Sequence, residues 1–320
     1  MFSFNIFLPA FVSFILTVIL CPIFIPILHK MKFGQFVREE GPESHLKKAG
    51  TPTMGGIVML AAFTVTGLAY LLNEPELFPV ILLTVGFGFI GFLDDFIKLA
   101  KKRSLGLRAW QKLGFEIILT GLFAYVLMHN YPELSQIVIP FTDGKLVWDL
   151  GILFVPFVFV TVLGTVNGAN FTDGLDGLAT TVTLIIAIFF AVLSTKVGSP
   201  VSHTAMIMIG TMLGFLIFNT YPAKVFMGDT GSLALGGFVA AEAFMLKVPL
   251  FIIIVAFIYL AEILSVMIQV SYFKITHGKR IFKMSPIHHH FELSGFEETR
   301  VVAMFAVVTV ILCFVGFIAL

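Results

Sequence analysis

Three stretches of this sequence carry carboxylates in patterns that suggest chemistry. They are the adjacent pair Asp94-Asp95, the run 170–177 (Asn-Phe-Thr-Asp-Gly-Leu-Asp-Gly) and the turn 228–231 (Gly-Asp-Thr-Gly). Adjacent carboxylates repel one another, and a divalent cation or a shared proton relieves that repulsion. Taken singly, each stretch also fits a helix end in the headgroup region or a helix N-cap. Taken together, they predict a site that handles a metal ion or a phosphate.

Cationic, aromatic and glycine residues nearby indicate what these carboxylates would act on. Lys48 precedes the glycine-rich run 50–56, Phe226 precedes the 228–231 turn, and three consecutive histidines occupy 288–290. Glycine turns and helix N-termini present backbone N–H groups to anions. Lys47 and Lys48 also fit a simpler role, in which they anchor the second span to anionic headgroups. Metal, cations and carboxylates in one place are what phosphoryl transfer requires, so we interpret the motifs as a phosphotransferase site.

The composition places these motifs in a membrane protein. Of the 320 residues, 58% are hydrophobic and only 12% are charged, whereas soluble domains carry about 25% charged residues. The apolar runs are long and continuous, which indicates helices rather than a barrel. We therefore expect an all-α integral membrane protein in which residues 1–320 form a single polytopic domain without a separate soluble domain. The net charge of +1 gives no indication of nucleic-acid binding.

Ten candidate membrane spans follow from the hydropathy pattern. They lie at about 4–29, 53–73, 78–99, 112–130, 148–167, 177–195, 203–220, 232–247, 249–273 and 299–319. With both termini outside, all of the 20 Lys and Arg residues except Lys145, Lys196 and Lys247 fall on the cytoplasmic side, as the positive-inside rule requires. This layout predicts an active site at the cytoplasmic face, because it brings all three carboxylate stretches to that side.

Three smaller expectations concern the elements between and within these spans. The external connection 131–147 contains Pro and a Thr-Asp-Gly turn between Val- and Ile-rich pieces, which predicts a small β-hairpin. The ninth span is longer than a bilayer core of about 30 Å, so it must tilt, bend or protrude. Bending could open a lipid-side groove, although tight packing would equally explain it. Glu242 and Glu262 fall inside spans, and we expect both to face protein or water rather than lipid.

Five blocks of the sequence, taken together, resemble a specific family. The blocks are Gly50–Gly56, Gly91–Asp95, Asn167–Ala179, Phe226–Gly237 and Ser285–Glu292. They are similar to those of the bacterial phospho-N-acetylmuramoyl-pentapeptide transferases, the MraY family of the polyprenyl-phosphate N-acetylhexosamine-1-phosphate transferase superfamily. The resemblance covers essentially the whole chain, in order, with the same ten-span plan and the N-terminus outside.

The resemblance implies a substrate pair, a cofactor and a location. Phospho-MurNAc-pentapeptide would pass from UDP-MurNAc-pentapeptide to undecaprenyl phosphate, giving lipid I and UMP with the help of Mg²⁺. Members of the family are homodimers in the bacterial plasma (inner) membrane, and their active site faces the cytoplasm. The reaction belongs to peptidoglycan synthesis.

The resemblance also implies roles for individual residues. Catalytic roles are expected for Asp94, Asp95, Asp229 and His289, and the metal ligand is expected to be Asp229. The residues expected around the uracil are Gly174, Leu175, Asp176 and Phe226. Those expected around the ribose, the phosphates or other parts of the substrate are Lys48, Thr53, Lys98, Lys102, Asn170, Asp173, Asn219, Gly228, His288 and His290.

Two mechanisms and two other functions remain compatible with parts of the sequence. In a direct displacement, Asp94 orients or deprotonates the lipid phosphate, whereas a two-step route would use a carboxylate nucleophile. A polyprenyl-phosphate GlcNAc-1-phosphate transferase of the WecA type shares the acidic blocks but differs in the histidine block. A secondary transporter would place ionisable groups near the bilayer midplane between inverted repeats, and no such repeat is visible here.

Overall fold

The computed structural model describes residues 4–30, 50–101, 103 and 105–320. The helices are α1 Phe4–Lys30, α2 Gly56–Leu71, α3 Phe78–Ala100, α4 Ala109–Asn130, α5 Phe154–Thr172, α6 Leu178–Val197, α7 Ser202–Asn219, α8 Gly228–Met245, α9 Ile252–Val255, α10 Phe257–Ile275, α11 Ile287–Glu292 and α12 Glu298–Ile318. One two-stranded sheet is formed by β1 Gln136–Val138 and β2 Val147–Asp149. The predicted substrate residues Lys48 and Lys102 lie outside the described residues.

Eight stretches within the described ranges are long and apolar enough to cross a membrane. They are Asn5–Lys30, Pro75–Ala100, Ala109–Asn130, Gly151–Thr172, Leu178–Val197, Ser202–Asn219, Phe257–Ile275 and Glu298–Ile318. Helix α2 is apolar but has only 16 residues. Helix α8 carries two carboxylates, Asp229 and Glu242, and is not among the eight. The expectation of a mostly helical membrane protein is confirmed, while the count of ten spans stays a prediction.

Two helix boundaries differ from the sequence prediction in a way that matters for the site. The fifth span was expected at 148–167, but α5 runs to Thr172, so Asn170 belongs to its last turn and not to a loop. The fourth was expected at 112–130, but α4 begins at Ala109 and includes Lys112 in its first turn. Hydropathy misplaces both boundaries because the polar side chains at these helix ends point to partners in other helices.

The ninth predicted span is broken rather than straight. Residues Pro249–Phe251 form a 3₁₀ turn, α9 covers Ile252–Val255, and α10 starts at Phe257. Between α9 and α10, Ala256 leaves the helical conformation with φ −107° and ψ 30°. The expectation that this span tilts, bends or protrudes is therefore met by a bend at one residue.

The predicted hairpin and the predicted orientation of two buried glutamates are both confirmed. Strands β1 and β2 pair antiparallel, with Ile137 opposite Trp148. Glu242 is fully buried and accepts a hydrogen bond from the Thr204 hydroxyl at 2.6 Å. Glu262 is also fully buried, and its carboxylate faces His288 at 3.0 Å. Both carboxyl groups therefore face protein and not lipid.

Helices α3 and α8 pack so closely that one glycine leaves no room for a side chain. A Cβ atom on Gly91 would lie 2.0 Å from the carbonyl oxygen of Asp229. Contacts between Cβ and backbone below 3.0 Å are essentially never seen. The approach of the two helices at this point is what brings the carboxylates of α3 next to the first turn of α8.

We expect Gly91→Ala to lower the free energy of unfolding by about 1–3 kcal/mol, the usual cost of forcing a group into a filled interior. Gly114→Ala is the matched control, because a Cβ there meets nothing within 4 Å. That variant should be neutral or slightly stabilising, since alanine is favoured over glycine in a helix by about 0.5–1 kcal/mol. Thermal unfolding of both variants in detergent checks the prediction, and equal midpoints would contradict it.

Candidate active site

Three aspartates at the ends of α3 and α8 form a carboxylate cluster, which we define as Asp94, Asp95 and Asp229. One oxygen from each lies within 4.8 Å of one from each of the others. The Nζ atom of Lys98 lies 2.7 Å from Asp94 Oδ2, 3.2 Å from Asp229 Oδ2 and 3.5 Å from Asp95 Oδ1. An ammonium group among three carboxylates marks a position where the protein stabilises a cation.

Two members of the cluster are held in place by donors from neighbouring segments. Asp95 Oδ2 accepts hydrogen bonds from the Thr230 backbone N–H at 2.9 Å and the Thr230 hydroxyl at 2.7 Å. Asp94 Oδ1 accepts one from the Leu107 N–H at 2.7 Å. Asp94 and Asp95 are each only 3% exposed. Carboxylates buried this far require such donors, because their desolvation is otherwise costly.

Glycine is needed at one position beside the cluster. Gly228 has a φ of +69°, and a Cβ atom there would lie 2.5 Å from Asp95 Oδ2 and 2.9 Å from Thr53 Oγ1. Any side chain would therefore be strained in its backbone and would also collide with the cluster. This position explains the Gly-Asp order of the 228–231 turn, and it places Thr53 next to Asp95.

Helices α4 and α5 complete the cluster, α4 with Lys112, which was not predicted as a site residue, and α5 with Asn170, which was. Lys112 Nζ lies 3.1 Å from Asp229 Oδ2 and donates to Asn170 Oδ1 at 3.3 Å. Asn170 Nδ2 in turn donates to Asp229 Oδ1 at 3.1 Å and to the Ser232 hydroxyl at 2.8 Å. Of these residues, only Asn170 and Asp229 were predicted as site residues.

A second polar pair, Glu116 and Asn167, lies on α4 and α5 about one helical turn from Lys112 and Asn170. Glu116, which is 1% exposed, accepts a hydrogen bond at 3.0 Å from Asn167 Nδ2. The signal in the sequence is the spacing, since Lys112 and Glu116 are four residues apart on α4, and Asn167 and Asn170 are three apart on α5. Residues at these spacings share one helix face. Polar residues on one face of an otherwise apolar helix could therefore have indicated these two contacts between α4 and α5.

The glycine-rich run 50–56 lies against the loop that precedes α8. The Phe226 N–H donates to Pro52 O at 2.9 Å, and the Gly55 N–H donates to Phe226 O at 2.8 Å. The Gly56 N–H donates to Met227 O at 2.9 Å. The structure therefore brings together two blocks that the sequence separates, and it holds Phe226 beside the carboxylate cluster.

A second group of predicted residues gathers around the turn that follows α5, residues 173–177. A Cβ atom on Gly174 would lie 2.1 Å from His288 Nε2, so the turn packs directly on that ring. Leu175 and Asp176 are buried. Asp176 Oδ2 accepts a hydrogen bond from the Ala223 N–H at 2.9 Å. Because Asn170 contacts Asp229 and Gly174 contacts His288, the end of α5 connects the two groups.

The three histidines have different partners. His288 Nδ1 lies 3.0 Å from Glu262 Oε1, and His289 Nδ1 lies 2.7 Å from Glu292 Oε2. His290 Nδ1 accepts a hydrogen bond from the Lys283 N–H at 3.1 Å. The Nδ1 atom of each ring thus has a different partner, which is not the geometry of one metal site shared by the three histidines.

Asn219 stabilises the segment that precedes α8 through its side-chain amide. It is 2% exposed, its Oδ1 accepts a hydrogen bond from the Thr180 hydroxyl at 2.7 Å, and its Nδ2 donates to Val225 O at 3.0 Å. The amide therefore fixes the loop that carries Phe226. We expected Asn219 near the ribose and phosphates, and here its amide is engaged within the protein.

An apolar cavity of about 320 Å³ opens between α5 and the bent pair α9–α10. Its lining includes Phe157 and Val160 from α5 and Leu260, Ile263 and Met267 from α10. The bend at Ala256 contributes to its wall. Such a cavity fits hydrocarbon and not a charged group.

Comparisons with known proteins give matches over most of the chain. Residues 77–248 match glycosyl transferase family 4, a segment that contains the whole carboxylate cluster. Relatives named phospho-N-acetylmuramoyl-pentapeptide-transferase include one from Clostridium kluyveri, 50% identical over 312 residues that cover 97% of both chains.

A relative of the same name from Clostridioides difficile is 49% identical over 312 residues, covering 97% of this chain and 96% of that protein. Another, from Acetivibrio thermocellus, is 50% identical over 310 residues, covering 96% of this chain and 93% of that protein. By these matches the chain belongs to glycosyl transferase family 4 and, within it, to the phospho-N-acetylmuramoyl-pentapeptide transferases.

Proposed function

We propose that this protein transfers phospho-MurNAc-pentapeptide from UDP-MurNAc-pentapeptide to undecaprenyl phosphate, giving lipid I and UMP in peptidoglycan synthesis. The observation that carries the proposal is the carboxylate cluster with Lys98 at its centre and Lys112 beside it. Such a cluster of opposite charges suits phosphoryl transfer. A metal ion can take the place of the lysines beside the carboxylates, and the lysines can then contact the phosphoryl group. The names of the relatives support the same reaction.

The donor set of the cluster fits Mg²⁺. Mg²⁺ prefers carboxylate oxygens and usually binds through one or two of them together with substrate phosphates. Asp229 would hold the ion, and Asp94 and Asp95 lie within the same few ångströms. Bound Mg²⁺ supplies charge neutralisation at the phosphoryl oxygens. Lys98 has a flexible stem and a side chain that is 30% exposed, so its ammonium can turn from the carboxylates to a substrate phosphate.

The remaining residues position the nucleotide sugar. The 173–177 turn, with Gly174, Leu175 and Asp176, would receive the uridine together with Phe226. Lys112, Asn170, Thr53 and the Gly228 backbone would face the diphosphate, because they surround Asp229 in the folded chain. Asp173, His288, His289 and His290 would complete the nucleotide end of the site. In this arrangement the β-phosphate would lie at the carboxylate cluster.

The chemical step we propose is a direct displacement. Asp94 orients or deprotonates the phosphate of the lipid, and an oxygen of that phosphate attacks the β-phosphorus of the nucleotide sugar. The bond from the β-phosphorus to the bridging oxygen breaks, and UMP leaves with that oxygen. Lys98 and Lys112 stabilise the negative charge that develops on UMP. The apolar cavity between α5 and α10 would hold part of the prenyl chain.

We further propose the arrangement of the protein in the membrane. Ten helices, including α2 and α8, would span the plasma membrane of a bacterium with both termini outside and the β-hairpin external. The carboxylate cluster would then face the cytoplasm, where the nucleotide sugar is made. The functional unit would be a homodimer, as the family resemblance implies.

The substrate is tested with purified protein, a polyprenyl phosphate and Mg²⁺. We expect UMP release with UDP-MurNAc-pentapeptide and little release with UDP-GlcNAc, because the histidine block differs between the two kinds of enzyme. UMP release from UDP-GlcNAc alone would overturn the proposal in favour of a GlcNAc-1-phosphate transferase. Uptake or exchange of a solute without UMP release would favour the transporter.

The metal site is tested by binding rather than by turnover. Added Mg²⁺ should raise the unfolding temperature of the wild-type protein, since a ligand at 100 times its Kd stabilises a protein by about 2.7 kcal/mol. Asp229→Asn should lose most of that stabilisation. Asp143→Asn is the control, because Asp143 is exposed and forms an ion pair with Lys145 in the loop between β1 and β2. Equal stabilisation of all three proteins would contradict the site.

The direct mechanism predicts that no reaction occurs without the lipid acceptor. Wild-type protein incubated with labelled UDP-MurNAc-pentapeptide and Mg²⁺ alone should release no UMP and acquire no covalent label. Mass spectrometry of the intact protein measures this. A stoichiometric burst of UMP with phospho-sugar bound to an aspartate would show the two-step route instead.

A further inference from the structure

Glu298, in the first turn of α12, contacts the turn that we assign to the uridine. Its Oε1 atom accepts a hydrogen bond from the Asp176 backbone N–H at 2.6 Å, although the two residues are 122 positions apart. A carboxylate that accepts from a backbone N–H forms a charge-assisted bond, which is about twice as strong as a neutral one. Helix α12 therefore restrains the backbone of the turn directly.

The same turn is restrained on two other sides. The Asp176 side chain accepts a hydrogen bond from the Ala223 N–H at 2.9 Å, and Gly174 packs on the ring of His288. The His288 ring is itself oriented by Glu262 at 3.0 Å. Glu298 thus completes a set of restraints in which the Asp176 backbone, the Asp176 side chain and Gly174 each meet a different segment.

We propose that Glu298 is a positioning residue for the nucleotide, and that it acts by fixing the 173–177 turn in the conformation that receives uridine. The inference rests on the proposed function. A turn that is already ordered saves the nucleotide the cost of ordering it on binding. The carboxylate cluster has its own supports in α3, α4 and α8, so Glu298 should affect nucleotide binding more than the chemical step.

A simpler role for Glu298 is to stabilise α12 as an acid near its N-terminus, where the helix dipole favours negative charge. Glu297 offers a matched control for that role. It is the exposed N-cap residue of the same helix, and its side chain makes no capping hydrogen bond. An effect of the dipole should be shared by both glutamates, whereas an effect on the turn should be specific to Glu298.

The test compares Glu298→Ala, Glu298→Gln and Glu297→Ala in the full-length protein. We expect Glu298→Ala to raise the KM for UDP-MurNAc-pentapeptide about tenfold or more, the loss that one hydrogen bond to a charged group accounts for. The kcat and the KM for undecaprenyl phosphate should change less than about twofold, the size of a few tenths of a kcal/mol. Glu298→Gln keeps an oxygen acceptor and should recover part of the affinity, and Glu297→Ala should behave as wild type.

A second measurement does not depend on turnover. Hydrogen–deuterium exchange of a peptide that covers 173–177 should be faster in Glu298→Ala than in Glu297→Ala, and UMP should protect it less. An unchanged KM and unchanged exchange in Glu298→Ala would overturn the inference. Loss of kcat together with a lower unfolding temperature would also overturn it, because that pattern indicates a general structural role. Failure of the wild-type protein to use UDP-MurNAc-pentapeptide would instead reject the proposed function.

Discussion

Electrostatic repulsion among three clustered carboxylates, two of them buried, is the constraint on which the rest of this site depends. Asp94, Asp95 and Asp229 lie too close together to remain ionised without compensation. The protein supplies ammonium groups from Lys98 and Lys112 and N–H donors from neighbouring backbone. Among the described residues, three ionised carboxylates against two ammonium groups leave one negative charge in excess. That imbalance attracts a divalent cation, and the combined positive charge then attracts substrate phosphates.

This concentration of charge is possible only because the helices that carry it approach each other unusually closely. Gly91 allows α3 to touch the backbone of α8, and Gly228 allows the start of α8 to pass over Asp95. Larger residues would separate the carboxylates and weaken the field that binds the cation. The glycines next to the aspartates therefore contribute to the electrostatics of the site, because the distance between two charges determines how strongly they interact.

The fold could be predicted from the sequence to the extent that the bilayer dictates it. In hydrocarbon every backbone polar group must be paired within the protein, so long apolar runs become helices. The excess length of the ninth span predicted that it tilts, bends or protrudes, and in the structure it is broken at Ala256. Lys112 and Glu116 were missed because their importance depends on partners in other helices, Asp229 in α8 and Asn167 in α5. Hydropathy places Lys112 at the start of the fourth predicted span and Glu116 inside it, and tertiary contacts are needed to recognise what these side chains bind.

The family match and the contacts of the 173–177 turn divide the site between two parts of the chain. The match to glycosyl transferase family 4 ends at residue 248, so it includes the carboxylate cluster but not α9 to α12. The relatives that share half of their residues with this chain match over 97% of it and therefore include the later helices. Those helices carry Glu262, His288 and Glu298, which surround the 173–177 turn. We infer that the segment within the family match carries the carboxylate cluster, whereas helices outside that match restrain the turn that we assign to the uridine.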